Sequence, residues 1–597
     1  MSSLELGVIG NCAFGALVDD SGGIVWCCLP RFDGDPVFCQ LLNNSRAIEK
    51  GARGVYRIEL VDLDRGEQHY VKNTAVLVTR LYDKNGAAVE IMDFAPRFAQ
   101  FGRKFRPTMI VRRVKPLAGV PQVRVVLRPA YGYGAGTPEV THGSNHIRFV
   151  GPAVTLRLTT DAPLAYLLDE TPFFLEEPIT LILGPDETLT GRVSDTGRGF
   201  REKTIDYWRD WTRTLALPLE WQDAVIRAAI TLKLCSFEET GGIVAAMTTS
   251  IPESAASGRN WDYRFCWLRD AFFVVRALNR LGAVTTLENY LRYLTNIVGA
   301  AEGGYLQPVY GISLERRLAE REVDTLPGYR GMGPVRVGNQ AHEHSQHDVY
   351  GHVVLAATQA FFDERLLRPA GIDTFRRLEA NGERAFELHD KPDAGLWELR
   401  QRKRVHTSSM LMCWAACDRL AKIAAHLGLP ARVGYWQGRA NTVRAAIMKR
   451  AWNPEINAFA EGAGSNDVDA SLLLMAEVGF LRPDDPRFTG TLAVVEQRLR
   501  CGNHMFRYAT ADDFGPPKNA FTICTFWFIE SLAAVGRREE AREMFESVLA
   551  CRNRLGLLSE DIDPASNELW GNFPQTYSLV GLIHCARKLS HRWEEVL

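Results

Sequence analysis

The sequence predicts a multidomain α+β protein in which an antiparallel β-sandwich is followed by an all-helical domain. The chain has 597 residues, more than one ordinary core accommodates, so at least two domains are expected. Short β-prone runs separated by turn residues fill residues 1–200, whereas apolar residues recur with helical spacing over residues 222–597. Residues 201–221 are rich in tryptophan and charge, and we interpret them as a helical linker. Pro218 is expected to end its helix.

Several runs in the first domain are typical of strands. Residues 75–82 and 87–92 flank Asn85-Gly86, a dipeptide that favours a tight turn between antiparallel strands. Further β-prone runs lie at residues 109–114, 123–127, 154–158 and 180–185. Many short strands with turn residues between them predict a sandwich of two sheets.

The second domain shows the periodicity of amphipathic helices. Leu287, Leu291 and Leu294, for example, share one helix face. Twelve helices are predicted near residues 222–237, 268–281, 285–299, 347–362, 372–388, 409–427, 432–451, 467–479, 487–499, 520–535, 538–549 and 575–589. No convincing strand interrupts them. The longest loops, residues 300–346 and 500–519, are candidates for function, because long loops in compact domains often carry it.

Composition excludes several classes of partner. The 70 basic and 71 acidic residues leave no positive surplus for phosphates, so nucleic acid is not expected as a partner. The first residues lack the features of a secretory signal, and no apolar run approaches the ~20 residues of a membrane span. The 12 cysteines include no C-x-x-C pair. We therefore expect a cytoplasmic protein with free thiols and no membrane partner; a homo-oligomer is compatible with the sequence.

Residues 258–270 combine aromatic, basic and acidic side chains just before a predicted helix. Arg269 and Asp270 can each grip two sugar hydroxyls, while the rings of Trp261 and Trp267 can cover the C–H face of a sugar. The alternative is a helix start whose charged residues pair with each other, and such ion pairs are common.

Two glutamates in loop-like settings are candidates for acid–base chemistry. Glu398 follows Trp397, and a carboxyl beside an indole is partly desolvated, which favours the protonated form that a general acid needs. Glu560 precedes Asp561, and this polar, acidic setting suits a general base that stays ionised. The alternatives are a surface glutamate at a helix start for Glu398 and a solvated loop or cation site for Glu560. Glu568 is a nearby competitor for the role of base.

A histidine-rich stretch superficially resembles a metal site. It contains His342, Glu343, His344, His347, Asp348 and His352. Their spacing matches no strong zinc pattern, and a helix would spread them over more than one face. A structural or sugar-contacting role is favoured over metal binding. Met410, Met412 and Cys413 are interpreted as core residues rather than metal or haem ligands.

Motifs along nearly the whole chain resemble one enzyme family. They lie at residues 9–12, 26–33, 248–253, 259–270, 337–339, 348–351, 395–398 and 571–575. Together they resemble the family 15 glycoside hydrolases, which include glucoamylases, glucodextranases and bacterial or archaeal trehalases. The first two motifs are similar to the N-terminal domain of the trehalase type.

The resemblance implies a fold, a mechanism and roles for particular residues. The fold would be an N-terminal β-sandwich followed by an (α/α)6 barrel. Glu398 matches the general acid and Glu560 the general base of single displacement with inversion, with carboxyl groups ~6.5–9.5 Å apart. Arg269 and Asp270 match the pair that grips the nonreducing-end glucose. Further substrate-binding residues would be Trp261, Trp267, Trp397 and Asp348. No cofactor or metal is needed.

The expected function is exo-acting hydrolysis of a small α-glucoside with inversion, and trehalose is the favoured substrate. Departures from the family pattern at residues 408–410, 340–347 and 575–579 leave a glucoamylase-like or isomaltose-type glucohydrolase as the first alternative, because pocket details set specificity. An (α/α)6 phosphorylase would not need Glu560, and a non-catalytic sugar-binding protein would need neither glutamate. Retention of both disfavours these two alternatives.

Overall fold

The computed structural model describes residues 3–43 and 51–596, and strands form the first part of the chain. These strands are β1 (Gly7–Gly10), β2 (Gly15–Val18), β3 (Ile24–Leu29), β4 (Asp35–Phe38), β5 (Val55–Leu60), β6 (Leu63–Tyr70), β7 (Leu77–Asp83), β8 (Ala88–Phe94), β9 (Phe98–Gln100), β10 (Arg103–Phe105), β11 (Ile110–Ala118), β12 (Gln122–Arg128), β13 (Glu139–His142), β14 (His146–Val150), β15 (Thr155–Thr160), β16 (Phe173–Phe174) and β17 (Ile179–Pro185). The predicted hairpin around Asn85-Gly86 is confirmed as β7–β8.

Two large antiparallel sheets make up most of this domain, and β9 and β10 form a separate hairpin. One has the order β1-β2-β3-β5-β12-β16, with β4 also paired to β3, and the other has the order β13-β14-β15-β17-β11-β8-β7-β6. Inward side chains from both sheets form one core, for example Ile9 and Ile58 from the first sheet with Ile91 and Leu181 from the second. Alternation of buried and more exposed residues along β14 and β15 follows from the period of two in a strand. The predicted sandwich is therefore confirmed.

Helices dominate the rest of the chain. They are α1 (Leu164–Leu168), α2 (Val193–Arg213), α3 (Gln222–Leu234), α4 (Leu268–Arg280), α5 (Val284–Gly299), α6 (Asp348–Phe362), α7 (Ile372–Leu388), α8 (Thr407–His426), α9 (Pro430–Arg450), α10 (Leu474–Glu477), α11 (Pro486–Leu499), α12 (Thr522–Ala534), α13 (Arg538–Ala550), α14 (Thr576–Leu589) and α15 (Trp593–Val596). All twelve predicted segments contain a helix. In the segment 467–479, a 3₁₀ turn at Ala470–Leu473 precedes the short α10.

Helix α2 begins earlier than the predicted linker. It starts at Val193 rather than near residue 201, because its first turns pack on β17, where Gly197 lies against Thr180. The helix then runs from the sandwich toward the helical domain. We propose residues 201–221 as the boundary between the two domains.

Six helices form a closed inner ring in the helical domain. Contacts run from α4 to α6, α8, the Ala470–Leu473 turn with α10, α12, α14 and back to α4. The outer helices α3, α5, α7, α9, α11 and α13 pack around this ring. Helix α12 is buried over nearly its whole length, whereas α9 buries only Trp436, Ala440, Val443 and Ile447 on one face. This alternation of inner and outer helices is the predicted (α/α)6 barrel.

Short paired strands, which the sequence analysis does not predict, hold the loops before the inner helices in place. They are β18 (Cys266–Trp267), β19 (Val309–Tyr310), β20 (Arg321–Val323), β21 (Val335–Val337), β22 (Trp452–Asn453), β23 (Ala458–Phe459), β24 (Arg500–Cys501), β25 (His504–Met505), β26 (Ala520–Phe521), β27 (Asp561–Ile562) and β28 (Leu569–Trp570). Strands of two or three residues carry too little alternation to predict.

All twelve cysteines carry free thiols, and all but Cys501 are buried. Within residues 3–43 and 51–596, no helix combines the length and the apolar character that crossing a membrane requires.

A buried arginine joins the sandwich to the barrel. Arg264, two residues before β18, donates to both carboxylate oxygens of Asp262, at 2.9 and 2.7 Å. The same guanidinium donates to the Tyr133 hydroxyl (2.6 Å) and to the Gly34 carbonyl (2.9 Å), both from the first domain. The Trp26 indole N–H donates to the carbonyl of Met247 at 2.8 Å. The two domains thus share a hydrogen-bonded interface.

Replacing Arg264 by methionine is expected to lower the free energy of unfolding by about 3–5 kcal/mol, because the Asp262 carboxylate would remain buried without its partner. Urea unfolding followed by tryptophan fluorescence measures this change. Arg482→Met is the matched control, since Arg482 pairs with Asp484 at the surface and such pairs contribute about 0–1 kcal/mol. Equal effects of the two substitutions would contradict a stabilising role of the interface pair.

Candidate active site

A pocket opens at the end of the barrel where the inner helices begin. Its volume is about 920 Å³ including the solvent-filled mouth. Arg269 and Asp270 from α4, Trp527 from α12 and Tyr577 from α14 contribute to the lining from the inner ring. The ring therefore supplies the floor, and the loops before its helices supply the walls.

The pocket collects most of the predicted site residues from distant parts of the chain. Its lining includes Glu398, Glu560, Arg269, Asp270, Trp261, Trp267 and Trp397. Asp348 lies outside this lining: it is the first residue of α6 and is only 2% exposed. Glu568, the competitor for the role of base, also lies outside the lining and pairs with Arg330 at 2.6 Å. Of the two candidates for the base, Glu560 and Glu568, the pocket lining therefore includes Glu560 and not Glu568.

Glu398 is held at the pocket wall by an indole. The Trp267 Nε1–H donates to Glu398 Oε1 at 2.7 Å, and the Arg269 guanidinium lies 3.7 Å from the same oxygen. The backbone of Glu398 has φ of 59°, a left-handed conformation that is uncommon for a residue with a side chain and is often found at functional sites. The Glu398 side chain is 24% exposed, so its carboxyl group can reach a ligand in the pocket.

Asp393 anchors the loop that carries Glu398. Its Oδ2 accepts from the backbone N–H of His347 and from the Ser409 hydroxyl, each at 2.7 Å. These partners stand beside the first turn of α6 and in the first turn of α8, so the loop is tied to two inner helices. Burial raises the pKa of Asp393 to about 7.

Glu560 lies in a different environment from Glu398. It is 1% exposed, and its Oε1 accepts a hydrogen bond from the Tyr263 hydroxyl at 2.6 Å. Its Oε2 has no hydrogen-bond partner among the described residues, so this oxygen can accept from a ligand. Burial raises the pKa of Glu560 to about 8, and the Glu253 carboxylate adds to the rise. The sequence predicted a polar, acidic setting for Glu560, and in the structure this glutamate is buried.

A glycine makes room for the Glu560 side chain. Gly571 has φ of 75°, and a Cβ added there would lie 2.7 Å from the Glu560 Cβ. Both the backbone conformation and the close approach require glycine at this position. This explains why the Gly571-Asn572 segment of the last motif accompanies Glu560.

Arg269 and Asp270 form a fixed pair at the pocket floor. Arg269 Nε donates to Asp270 Oδ1 at 2.9 Å, and Arg269 Nη1 donates to the Leu396 carbonyl at 3.2 Å. Burial disfavours the Arg269 cation, but neighbouring carboxylates, Asp348 among them, outweigh burial and raise its pKa. Asp348 thus acts on this pair from behind the floor.

Sequence reasoning did not assign roles to several charged and polar residues of the lining. Arg507 donates to Glu253 Oε2 at 2.5 Å, and the Trp261 indole donates to Glu253 Oε1 at 2.9 Å. Tyr263 and Arg259 belong to the aromatic and charged segment 258–270, and this composition is the sequence feature that could have identified them as pocket residues. For Arg507 the only signal was the length of the loop 500–519.

The histidine-rich stretch contributes one residue to the pocket. His344 is part of the lining, whereas His347 and His352 are buried. Burial lowers the pKa of His352 to about 3, which keeps its imidazole neutral. The described parts of the chain contain no group of three or more histidine, cysteine or acidic side chains arranged to hold a metal ion.

This combination of features defines a class of enzyme. Two carboxyl groups in distinct environments share a pocket whose floor carries an Arg–Asp pair and whose walls carry three tryptophans. Protonation of a leaving oxygen by one carboxyl group and activation of water by another is the chemistry of glycoside hydrolysis. The fold and the pocket are those of a glycoside hydrolase.

Comparison with known proteins gives the same class. The family described as glycosyl hydrolases family 15 matches residues 221–587. A trehalase of Thermoplasma volcanium is 31% identical, over 98% of this chain and 93% of that protein. A trehalase of Mycobacterium tuberculosis is 28% identical, over 97% of this chain and 88% of its own length. A bacterial glucoamylase crystallised with acarbose superimposes with a TM-score of 0.69 at 13% identity, covering 98% of this chain and 93% of that one. The chain belongs to glycoside hydrolase family 15.

Replacing Tyr263 by phenylalanine is expected to move the acidic limb of the kcat/KM profile to higher pH by about one to two units, because a hydrogen bond to a charged group contributes about 1.5–3 kcal/mol. The Tyr263 hydroxyl lowers the pKa of Glu560, so its removal raises that pKa and leaves less of the ionised form near pH 7. Initial rates on an α-glucoside, measured between about pH 5 and 9, give the shift of this limb. Tyr435→Phe is the control, since Tyr435 donates to Glu383 at the surface. An unmoved acidic limb would contradict the role of Tyr263.

Proposed function

We propose that this protein is an exo-acting, inverting hydrolase of small α-glucosides and that trehalose is its substrate. The observation that carries the proposal is the pocket that joins Glu398 and Glu560 above the Arg269–Asp270 floor. The near full-length similarity to several trehalases supports trehalose as the substrate. The buried free thiols fit a reducing compartment, so we place the enzyme in the cytoplasm.

In the proposed reaction, Glu398 acts as the general acid. It donates its proton to the glycosidic oxygen while the bond from that oxygen to C1 breaks. Its position supports this role, because the Trp267 indole fixes one carboxyl oxygen at 2.7 Å and leaves the side chain partly exposed to the pocket. The Arg269–Asp270 pair would hold the hydroxyls of the glucose that carries C1.

Glu560 acts as the general base in this proposal. Its carboxylate removes a proton from a water molecule that attacks C1 on the face opposite the leaving oxygen. The Tyr263 hydroxyl orients Oε1 and leaves Oε2 to accept from the water. The glucose that is attacked at C1 is therefore released as β-glucose, and the proton balance is restored when Glu560 releases its proton and Glu398 takes one up.

The remaining predicted residues have supporting roles in this proposal. Trp261 and Trp397 line the pocket, and the Trp397 indole donates to the buried Asp469 at 2.8 Å, which fixes its ring. Asp348 supports the charge of Arg269 from behind the floor rather than contacting the sugar. A glucoamylase-like action on α-1,4 or α-1,6 oligosaccharides is the secondary candidate.

Proton NMR of fresh reactions with trehalose, maltose and isomaltose tests the proposal. Fast cleavage of trehalose should give equal initial amounts of α- and β-glucose, because one ring is inverted and the other leaves with its configuration unchanged. Preference for maltose or isomaltose, with β-glucose appearing first, would replace trehalose by an oligosaccharide and keep the mechanism. Failure of the purified enzyme to release glucose from any α-glucoside would overturn the proposed function.

A further inference from the structure

A short turn of residues 511–515 lies at the mouth of the pocket. Asp512 and Gly515 pair as an isolated antiparallel bridge, and the lining of the pocket includes Asp512, Asp513 and Phe514. Phe514 is 36% exposed. The turn therefore places the aromatic ring of Phe514 in the lining of the pocket.

One side of the turn is fixed to the wall that carries Trp261. The buried Arg259 donates to both carboxylate oxygens of Asp512, at 2.7 and 2.5 Å, and to the Gly515 carbonyl at 2.7 Å. The Phe514 ring meets the Trp261 ring edge to face, with centroids 5.2 Å apart and an angle of 83°. A two-pronged ion pair and a packed ring hold the turn more firmly than loop backbone alone would.

The other side of the turn is fixed to the loop that carries Glu398. Asp513 Oδ2 accepts from the backbone N–H groups of Arg400 and Gln401, at 3.0 and 3.2 Å. Arg402 donates to the carbonyl of Ala511 at 2.9 Å. The turn thus crosses from the tryptophan wall to the loop of the proposed acid.

Arg400 and Trp261 close the remaining gap between the two walls. The Arg400 guanidinium lies over the Trp261 ring, 4.6 Å from its centroid, and its two terminal nitrogens donate to Glu320. These contacts hold the mouth at a fixed width. A ligand that extends past Trp261 would have to displace Phe514 or Arg400.

The turn lies on the side of the leaving group. Glu398 protonates the oxygen of the leaving group, and the residues that follow it, through Arg400, line the pocket beside the turn. The Arg269–Asp270 floor is supplied by the inner ring, at the opposite end from the mouth. A glucose on the floor therefore directs its partner sugar toward Trp261 and Phe514.

We propose that the 511–515 turn is a roof that restricts substrates to α-glucosides whose leaving group is a single sugar. The inference rests on the proposed function, because it assumes that Glu398 protonates the leaving group. Phe514 is the specificity-determining residue, and Asp513 is a positioning residue that keeps the roof attached to the acid loop. In this proposal, the roof limits the number of sugars in the leaving group, in addition to any selection for the type of glycosidic linkage.

The test compares leaving groups of one and two sugars with the linkage unchanged. Trehalose is paired with the trisaccharide in which a third glucose is α-1,4-linked to one ring of trehalose, and maltose release from that trisaccharide reports cleavage of the 1,1 bond. The wild type should cleave this bond at least about 10-fold less efficiently than that of trehalose, a size typical of steric discrimination in a pocket. In Phe514→Ala and Asp513→Ala the ratio of the two kcat/KM values should shrink by about 5-fold or more.

Matched controls separate the roof from general damage. Phe101→Ala removes a phenylalanine that is 88% exposed at the tip of the β9–β10 hairpin, and Asp484→Ala removes a surface carboxylate. Both controls should keep the wild-type ratio. An unchanged ratio in the roof variants, or a wild type that cleaves both substrates equally, would overturn the roof.

The design also separates failure of the roof from failure of the proposed function. Should the wild type cleave maltose but not trehalose, trehalose is wrong as the substrate, and the roof is judged on maltose against maltotriose. In that pair the leaving groups are again one and two sugars. Equal efficiency of the wild type on maltose and maltotriose would overturn the roof, and a 10-fold preference for maltose, relaxed in Phe514→Ala, would support it.

Discussion

Replacing Glu560 by glutamine is expected to lower kcat on trehalose by about 10²–10⁴-fold, the range that general acid–base groups contribute. Glutamine keeps the shape of the side chain and the hydrogen bond from Tyr263 but cannot take a proton from water. Because the sugar is held by other residues, KM should change little. Steady-state glucose release at the pH optimum measures both parameters.

A second variant tests whether Glu560 acts on the attacking nucleophile. In Glu560→Ala, added azide needs no base and should attack C1 directly, with formation of β-glucosyl azide and partial recovery of the rate. Glu568→Gln is the matched control, since Glu568 lies nearby in sequence, pairs with Arg330 and is absent from the pocket lining. If Glu560→Gln retained more than about a tenth of kcat, another group would have to serve as the base.

The Glu398→Gln variant should show a loss that depends on the leaving group. On trehalose we expect a decrease in kcat of about 10²–10⁴-fold, because the leaving sugar needs a proton that glutamine cannot supply. On α-glucosyl fluoride, whose fluoride ion leaves without protonation, the decrease should be less than about 10-fold. Both rates can be followed through glucose release, with the wild type measured on the same pair.

The difference between these two substrates identifies the role of Glu398. Glutamine can still accept the hydrogen bond from the Trp267 indole, so the wall of the pocket should keep its shape. Equal losses on trehalose and on the fluoride would show that Glu398 positions the substrate instead of donating a proton.

The sequence predicted the order of strands and helices because the patterns of these elements are local. The spacing of Leu287, Leu291 and Leu294 identifies one face of α5, and Asn85-Gly86 identifies the β7–β8 turn. The two-residue strands were missed, since they depend on pairing between loops that are far apart in the chain. The early start of α2 was missed for a similar reason, because its first turns are stabilised by packing on β17.

The candidate site was predicted where a short motif carries the chemistry, as with Glu398 beside Trp397. What sequence reasoning could not provide was the surroundings of each group. The neighbouring Asp561 indicated a polar, acidic setting for Glu560, yet the fold buries that glutamate against Tyr263, which is distant in sequence. Similarly, Asp348 is predicted as a substrate-binding residue, and the sequence does not show that the start of α6 leaves it 2% exposed and outside the pocket lining.

The Arg264 interface limits how this protein can change during evolution. Tyr133, Gly34 and Cys28 of the first domain complete the hydrogen bonds of Arg264, which lies between Tyr263 and Trp267 of the pocket lining. Loss of the sandwich through a gene truncation would leave the guanidinium of Arg264 without these three partners and would remove the Trp26 indole that donates to the carbonyl of Met247. The β domain and the barrel are therefore expected to be inherited together, and an exchange of one domain between relatives should succeed only when the matching interface residues accompany it.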